Sequence, residues 1–484
     1  MKILFVTSEV HPLIKTGGLA DVSAALPAAL QALGEDVRLL IPGYTEVLDK
    51  LENKRTVATF AVFPGQPEVR LLSAKMPETG VPVYVLDAPR YYSRVAGPYQ
   101  YELGGDWPDN PMRFGMLSRA GALLGSVDSP AAWRADIVHC NDWQSGLAPA
   151  YLQMTRSTHA KTVMAVHNMA FQGNFDRDWL QPLDLPQSCF DMHGVEFNGY
   201  LSFLKAGLHY ADRIVTVSPT YAREIQATEM GYGMQGLLVA RNGDVSGILN
   251  GIDEKEWDPA TDKYLAATYD SSDLAPKASV KQALQQRLGL EINARAPVLG
   301  VVSRLTYQKG LDLLLECLPK LLDGGAQLVV LGSGEVDLER RYQQLAHRYP
   351  GRASVTVRFD EALSHQVMAG ADIFLMPSRF EPCGLNQMYG MRYGTPPVVR
   401  KTGGLADSVT DAGEANGTGF VFDEPDTSVL YRTIVRAIEC YRDENDFKRV
   451  QLNGMRRDVG WSTSAARYIE LYRAIVAGVF LGSN

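Results

Sequence analysis

Several apolar runs in this chain end in the residue types that hold anions or move protons. The heptapeptide KTGGLAD occurs twice, at Lys15–Asp21 and again at Lys401–Asp407. Each copy offers a lysine, two adjacent glycines and the start of a helical pattern. A backbone without Cβ atoms can approach a ligand closely, and the N–H groups at a helix start favour an anion. SRLTYQKG (303–310) follows the apolar VLGVV and brings Arg304 and Lys309 into one loop, which suits a diphosphate. HCNDWQ (139–144) supplies His139 and Asp142, and AVHN (165–168) supplies His167 and Asn168. A strand-end histidine is more often a hydrogen-bonded structural residue, so these gain weight only in company. SRFEPCGLNQ (378–387) places Glu381 in a Pro/Gly turn directly after DIFLMP.

Other chemistries lack their residues. There is no G-x-x-x-x-G-K-[ST], no H-E-x-x-H and no G-x-S-x-G. GSGE (332–335) is a glycine loop, but position 337 is Asp, so the dinucleotide fingerprint G-x-G-x-x-G is incomplete. Asp176-Arg177-Asp178 forms a D-x-D triplet that follows no clear strand and reads as surface. Cys383 lies two residues from Glu381. Beside a cationic site its thiolate is favoured, which marks it as a target for thiol reagents.

The elements that must position these residues alternate. ILFVTS (3–8), VRLLIP (37–42), DIVHC (136–140), KTVMAVHN (161–168) and RIVTVS (213–218) read as buried strands with helix-like segments between them. Ser218 and Pro219 suit the N-cap and first position of a helix, and Gly34 suits a helix end. PVLGVVSR (297–304), QLVVLGSG (327–334), ASVTVRF (353–359), DIFLMPS (372–378) and PPVVRKTGG (396–404) repeat the pattern. Alternating strands and helices imply α/β domains with doubly wound parallel sheets. GILNGIDEKEWDP (247–259) is rich in Gly, Asn, Asp and Pro and reads as the join between two such domains, about 1–245 and 246–458. The tail TSAARYIELYRAIVAGVF (463–480) is an amphipathic helix that fits either domain. Ligands of open parallel sheets sit beyond the carboxyl ends of the strands. Two facing domains would place both heptapeptides at one cleft, closing on one anionic ligand.

Bulk composition agrees with an enzyme of this kind. The chain has 484 residues, enough for two or three domains, and is 46% hydrophobic and 21% charged. Its net charge of −8 argues against a general nucleic-acid binder. Five scattered cysteines without a C-x-x-C pair fit a reducing compartment and offer no zinc signature. No run approaches the length of a membrane span, and MKILFVTSEV is too short and polar for a signal peptide. A cytoplasmic location is expected, with no nucleic-acid or membrane partner.

The combination KTGGLADV, HCNDWQSGLAPAYL, AVHNMAFQG, FNGYLSFLKAGLHYAD, VSPTYAREI, ILNGID, SRLTYQKGLDL and PSRFEPCGLNQMYGMRYGTPPVVRKTGGLADSV resembles the bacterial and plant glycogen and starch synthases, in order, from about residue 1 to 475. The resemblance implies the GT-B arrangement of two facing Rossmann-like domains, with a C-terminal helix (within 459–484) returning to the first. It implies transfer of glucose from ADP-glucose to the non-reducing end of an α-1,4-glucan such as glycogen, with retention, release of ADP and no metal or other cofactor. Residue by residue, it implies that Lys15, Arg304 and Lys309 hold the diphosphate. Gly18 and, in the second copy, Thr402, Gly403, Gly404 and Leu405 would bring backbone to the phosphates. Glu381 would bind glucose hydroxyls, with Cys383, Gly384 and Leu385 of the same motif lining the substrate. His167 would bond the sugar at the reacting centre, beside Asp142. Asn168 and Asn250 would line the sugar pocket, and Phe359 would stack on the base. Many retaining GT-B enzymes carry E-x7-E here, whereas Glu381 is followed eight places later by Tyr389. Bacterial glycogen synthases resemble this chain at that point.

The chemistry is coherent from below. Breaking the sugar–phosphate bond builds oxocarbenium character and charge on the leaving diphosphate, which preorganised cations stabilise. Retention needs either a carboxylate beneath the anomeric carbon or attack on the face the leaving group departs from. The second route is favoured, with the leaving phosphate as base. The rival readings are a sucrose- or trehalose-type synthase, a two-domain oxidoreductase and a non-catalytic glucan-binding scaffold.

Overall fold

A computed structural model describes residues 1–101, 104–155 and 158–478. Part of the amphipathic tail, residues 479 and 480, lies outside the described residues. The chain forms two units, Met1–Ile248 with the segment from Trp461, and Leu249–Gly460.

Unit 1 is built on nine strands: β1 (Lys2–Val6), β2 (Asp36–Pro42), β3 (Arg55–Ala61), β4 (Glu68–Lys75), β5 (Pro82–Asp87), β6 (Ile137–Asn141), β7 (Lys161–Val166), β8 (Arg213–Thr216) and β9 (Val245–Gly247). Their spatial order is β9-β8-β7-β6-β1-β2-β5-β4-β3. All neighbours are parallel except β3–β4 and β4–β5. The apolar runs at β1 and β6 are fully buried, as strands covered on both faces must be. The antiparallel edge does not follow from the strand–helix alternation of the sequence. Its outer strand β3 is mostly exposed, so its composition carries no buried-strand signal.

Local sequence explains the element ends. The first helix, Gly18–Ala32, stops where Gly34 takes φ +92°. Ser218 Oγ accepts the Tyr221 N–H at 3.2 Å, with Pro219 as first helical residue. The C-terminal helix, Trp461–Ala477, packs on unit 1 against the first helix. Its Tyr472 hydroxyl meets His139 Nδ1 at 2.8 Å, and the His139 ring stacks on Phe5 with centroids 4.7 Å apart. Burial pulls the His139 pKa down to about 3, so this histidine is a neutral core residue.

Unit 2 carries a wholly parallel sheet of β10 (Val298–Val302), β11 (Gln327–Leu331), β12 (Ala353–Thr356), β13 (Ile373–Met376), β14 (Pro397–Arg400) and β15 (Phe420–Phe422), ordered β12-β11-β10-β13-β14-β15. Leu299, Val301, Leu328 and Val330 form one buried cluster with Leu314 and Leu318 of the helix Leu311–Asp323. Behind the sheet, Trp257 lies between His365 (centroids 3.9 Å) and Tyr389 (3.8 Å). His365 Nδ1 meets Asp262 Oδ2 at 2.7 Å and is 1% exposed. Among the described residues no helix is long and apolar enough to cross a membrane.

The His365–Asp262 contact predicts a pH dependence of stability. Burial opposes the imidazolium, but Asp262 and Glu361 outweigh it and raise the pKa to about 9. A raised folded-state pKa stabilises fully below the unfolded value near 6.5 and is lost as pH rises through about 9. Buried Lys277, lowered to about 7, acts in the opposite sense over the same range, so the His365 contribution is read as a difference: relative to His365→Gln, the wild type should lose stability equivalent to roughly 3 kcal/mol between pH 7 and 10. A stability difference between the two that does not change with pH over this range contradicts the assignment.

Candidate active site

The order of each sheet reverses at one strand. In unit 1, β1 lies between β2 and β6; in unit 2, β10 lies between β11 and β13. Such reversals open a crevice at the carboxyl ends of the strands. The loops that leave β1, β6 and β7 carry Lys15, Asp142 and His167. Those that leave β10, β12, β13 and β14 carry Arg304 and Lys309, Phe359, Glu381, and the second heptapeptide.

In unit 1 the first heptapeptide is organised by a carboxylate. Glu9, 3% exposed, accepts the Thr16 hydroxyl at 2.6 Å, the Gly17 N–H at 3.3 Å, and bonds from the Thr16 N–H and the Tyr99 hydroxyl. A Cβ added at Gly17 or Gly18 meets nothing within 4 Å, so these glycines leave open space before the helix start. Lys15 Nζ rests on Asp21 Oδ1 at 2.7 Å, and both side chains are substantially exposed. Such a pair contributes at most about 1 kcal/mol.

At the end of β6, Asp142 takes φ +52°, ψ −174°, a region that costs a non-glycine residue of order 1–3 kcal/mol. Its Oδ1 accepts the His167 N–H at 2.7 Å, which holds the two strand ends together. Burial raises the Asp142 pKa, against the opposing effect of His167 and two backbone N–H groups. Asn141 donates Nδ2 to Val6 O at 2.9 Å, which turns its Oδ1 to His167 Nε2 at 3.0 Å. His167 Nε2 therefore carries the proton, and Nδ1 keeps a lone pair. Burial lowers the His167 pKa, so the ring is a neutral acceptor. Asn168 turns its Oδ1 to the Ala170 N–H at 3.0 Å.

In unit 2, Glu381 Oε2 accepts Lys309 Nζ at 2.6 Å and Ser378 Oγ at 3.0 Å. Gly310, at φ +66°, makes this approach possible, since a Cβ there would stand 2.0 Å from Pro377 O. Arg379 clasps Asp312 at 2.6 and 2.7 Å and lies 3.6 Å over the Tyr307 ring. The second heptapeptide uses its glycines differently from the first. Cβ atoms at Gly403 (φ +44°) and Gly404 would stand 1.9 Å from Glu381 O and 2.1 Å from Cys383 O. The Gly404 N–H donates to Glu381 O (3.1 Å) and Pro382 O (3.0 Å), and the Leu405 N–H donates to Thr402 O (3.0 Å). The Gly404 and Leu405 N–H groups therefore have acceptors within the protein. Thr402 is buried. Gln387 Nε2 bonds the carbonyls of Cys383 (3.2 Å) and Gly384 (3.0 Å), with Leu385 half-buried beside them. The Asn250 backbone reaches Cys383, and its side-chain Oδ1 is buried without a hydrogen-bond partner among the described atoms.

Cys383 requires a correction. Burial pushes its thiol up to about 12, so it is neither a favoured thiolate nor accessible. Arg304 is exposed and forms no ion pair among the described residues, and Phe359 is 78% exposed, with Tyr307 at 61%. Asp176 and Asp178 are exposed at the surface. The glycines of GSGE pack on the neighbouring loop: Cβ atoms at Gly332 and Gly334 would meet Ser303 O and Leu305 O. Sequence reasoning missed Glu9; its signal was an acid just after an apolar strand, eight residues before the first glycine.

Residues 2–240 match the model of the starch synthase catalytic domain, and residues 284–451 that of glycosyl transferases group 1. The glycogen synthase of Nitrosospira multiformis is 50% identical over 98% of this chain and 97% of its own. The chain belongs to the glycogen synthase family. It is a glycosyltransferase with the GT-B fold. The catalytic domain of starch synthase IV from Arabidopsis thaliana, bound to ADP and acarbose, is 31% identical, covering 98% of this chain and 99% of that one with a TM-score of 0.88. A sucrose-phosphate synthase from Thermosynechococcus elongatus shares the fold at 18% identity and a TM-score of 0.61, over 99% of each chain. The high identity to glycogen synthases along nearly the whole chain sets aside the sucrose-type and oxidoreductase readings.

The contrasting glycines can be tested directly. Gly403→Ala should destabilise the protein by about 1–3 kcal/mol. Gly18→Ala should leave the unfolding midpoint unchanged or slightly raised, since Ala favours a helix. Chemical denaturation of both variants measures this. In the native protein the four buried cysteines, Cys140, Cys189, Cys317 and Cys383, should also resist thiol reagents at pH 8 and become reactive only on unfolding.

Proposed function

We propose that this glycosyltransferase moves glucose from ADP-glucose to the non-reducing end of an α-1,4-glucan with retention of configuration, releasing ADP. The observation that carries this reading is the pairing of Lys309 with Glu381 where the second sheet reverses. It sets a cation for phosphate next to a carboxylate for sugar hydroxyls. The ADP in the starch synthase IV relative supports the adenine nucleotide, and its acarbose supports a glucan acceptor. Exposed Phe359 suits stacking on the base.

In this mechanism Lys15, Arg304 and Lys309 neutralise charge that develops on the leaving diphosphate. The helix start at Gly18 adds N–H groups in open space. Binding diphosphate draws Lys309 from Glu381, whose carboxylate then accepts glucose hydroxyls. His167 accepts a sugar hydroxyl at Nδ1, and Asn168 and Asn250 complete the sugar pocket. The carboxylates that could serve as a nucleophile are engaged throughout: Asp142 by the His167 backbone, and Glu381 by Ser378 and, with donor bound, by the glucose hydroxyls. That supports front-face attack, with the leaving phosphate taking the proton of the acceptor hydroxyl. No cofactor takes part in these steps. The five unpaired cysteines support a reducing, cytoplasmic setting.

Transfer of labelled glucose onto glycogen tests the proposal, with ADP-glucose and UDP-glucose side by side and no added metal. Incorporation should come from ADP-glucose. Lys15→Ala should lower it on the order of 100- to 1000-fold with the unfolding midpoint unchanged, because Lys15 and its partner are exposed. Full activity in that variant would remove the anion role of the first heptapeptide.

A further inference from the structure

Unit 2 holds a second group of chemically capable side chains. Glu361 is the first residue of the helix Glu361–Gly370, and His365 follows one turn later on the same face. Glu256 comes from the turn in which the Lys255 and Glu256 N–H groups bond Asp253 Oδ1 at 2.8 and 3.3 Å. One carboxylate oxygen of each glutamate and one His365 ring nitrogen all lie within 4.8 Å of one another.

The histidine is prepared as metal ligands are. Asp262 Oδ2 also accepts the Tyr393 hydroxyl at 2.6 Å, and Oδ1 accepts the Tyr264 N–H at 2.8 Å. Asp262 is thereby an acceptor throughout, and His365 Nδ1 donates to it. The other nitrogen, Nε2, is buried, makes no hydrogen bond and lies 3.4 Å from Glu361 Oε1. The ring cannot swing away, since Trp257 covers its face at 3.9 Å with planes 10° apart. A carboxylate behind one ring nitrogen, with the other facing the ligand space, is the usual support of a metal-bound imidazole.

We propose that Glu256, Glu361 and His365 Nε2 form a binding site for a borderline divalent cation such as Zn2+. One imidazole and two carboxylates suit Zn2+ or Co2+ with water completing the shell, whereas Mg2+ and Ca2+ prefer oxygen alone. The dication takes the place of the proton between the carboxylates. It ties the segment around Glu256, just after the join of the two units, to the helix that carries His365. The site is independent of the transfer reaction proposed above.

Untagged full-length protein is titrated with Co2+, followed by its visible d–d absorption, and with Zn2+ against a chromophoric chelator. One equivalent should bind, with Zn2+ displacing Co2+. Glu256→Gln and Glu361→Gln should each weaken binding at least tenfold, and Asp262→Asn, behind the histidine, 10- to 100-fold. Glu256 is exposed and Glu361 half-buried, so those two variants fold even if His365→Gln or Asp262→Asn does not. No stoichiometric binding, or binding that both glutamine variants leave unchanged, overturns the site.

Discussion

The ion pair between Lys309 and Glu381 is the constraint around which unit 2 is arranged. Two largely buried charges lie 2.6 Å apart where the sheet order reverses. Desolvating such a pair costs several kcal/mol per ion, and removing one partner strands the other. Neighbouring residues therefore fix both ends. Gly310 lets the lysine loop touch Pro377 O, Arg379 ties the glutamate turn to Asp312, and Gly403 and Gly404 let the next loop close on the backbone of Glu381 and Cys383. The second heptapeptide is thus scaffolding for the carboxylate. The pair also holds two opposite charges in a neutral combination where the sheet reverses.

The two KTGGLAD copies show that one peptide can serve different physical needs. In unit 1, Glu9 takes the early N–H groups of the loop, and the glycines face open space. In unit 2 the glycines face carbonyl oxygens too close for any side chain. What both share is the strand-end position and a helix start, and those alone follow from the sequence.

The parallel cores were legible because β1 after Lys2, β6, β10 and β13 are short, mainly apolar runs, and the loops after their ends carry the polar residues of the candidate site. The antiparallel edge was not, because β3 and β4 alternate only weakly and β3 buries little. Lys15, Asp142, His167, Arg304, Lys309 and Glu381 all stand at carboxyl ends of strands or in the loops after them. The tautomer of His167 was beyond reach, since it depends on Asn141 bonding across to β1. The buried state of Cys383 was equally hidden. Glu381 lies two residues away in sequence, but the spatial neighbours of Cys383 are the backbones of Gly404 and Asn250.

The seating of the C-terminal helix has a consequence for chain order. Unit 2 is contiguous, whereas unit 1 is interrupted by all of unit 2 and completed by the segment from Trp461. His139, at the centre of the first sheet, takes its hydrogen bond from Tyr472. A chain emerging from the ribosome can finish unit 2 from its own residues. Unit 1, although begun first, lacks the Tyr472 partner of its buried His139 until the segment after unit 2 has been made.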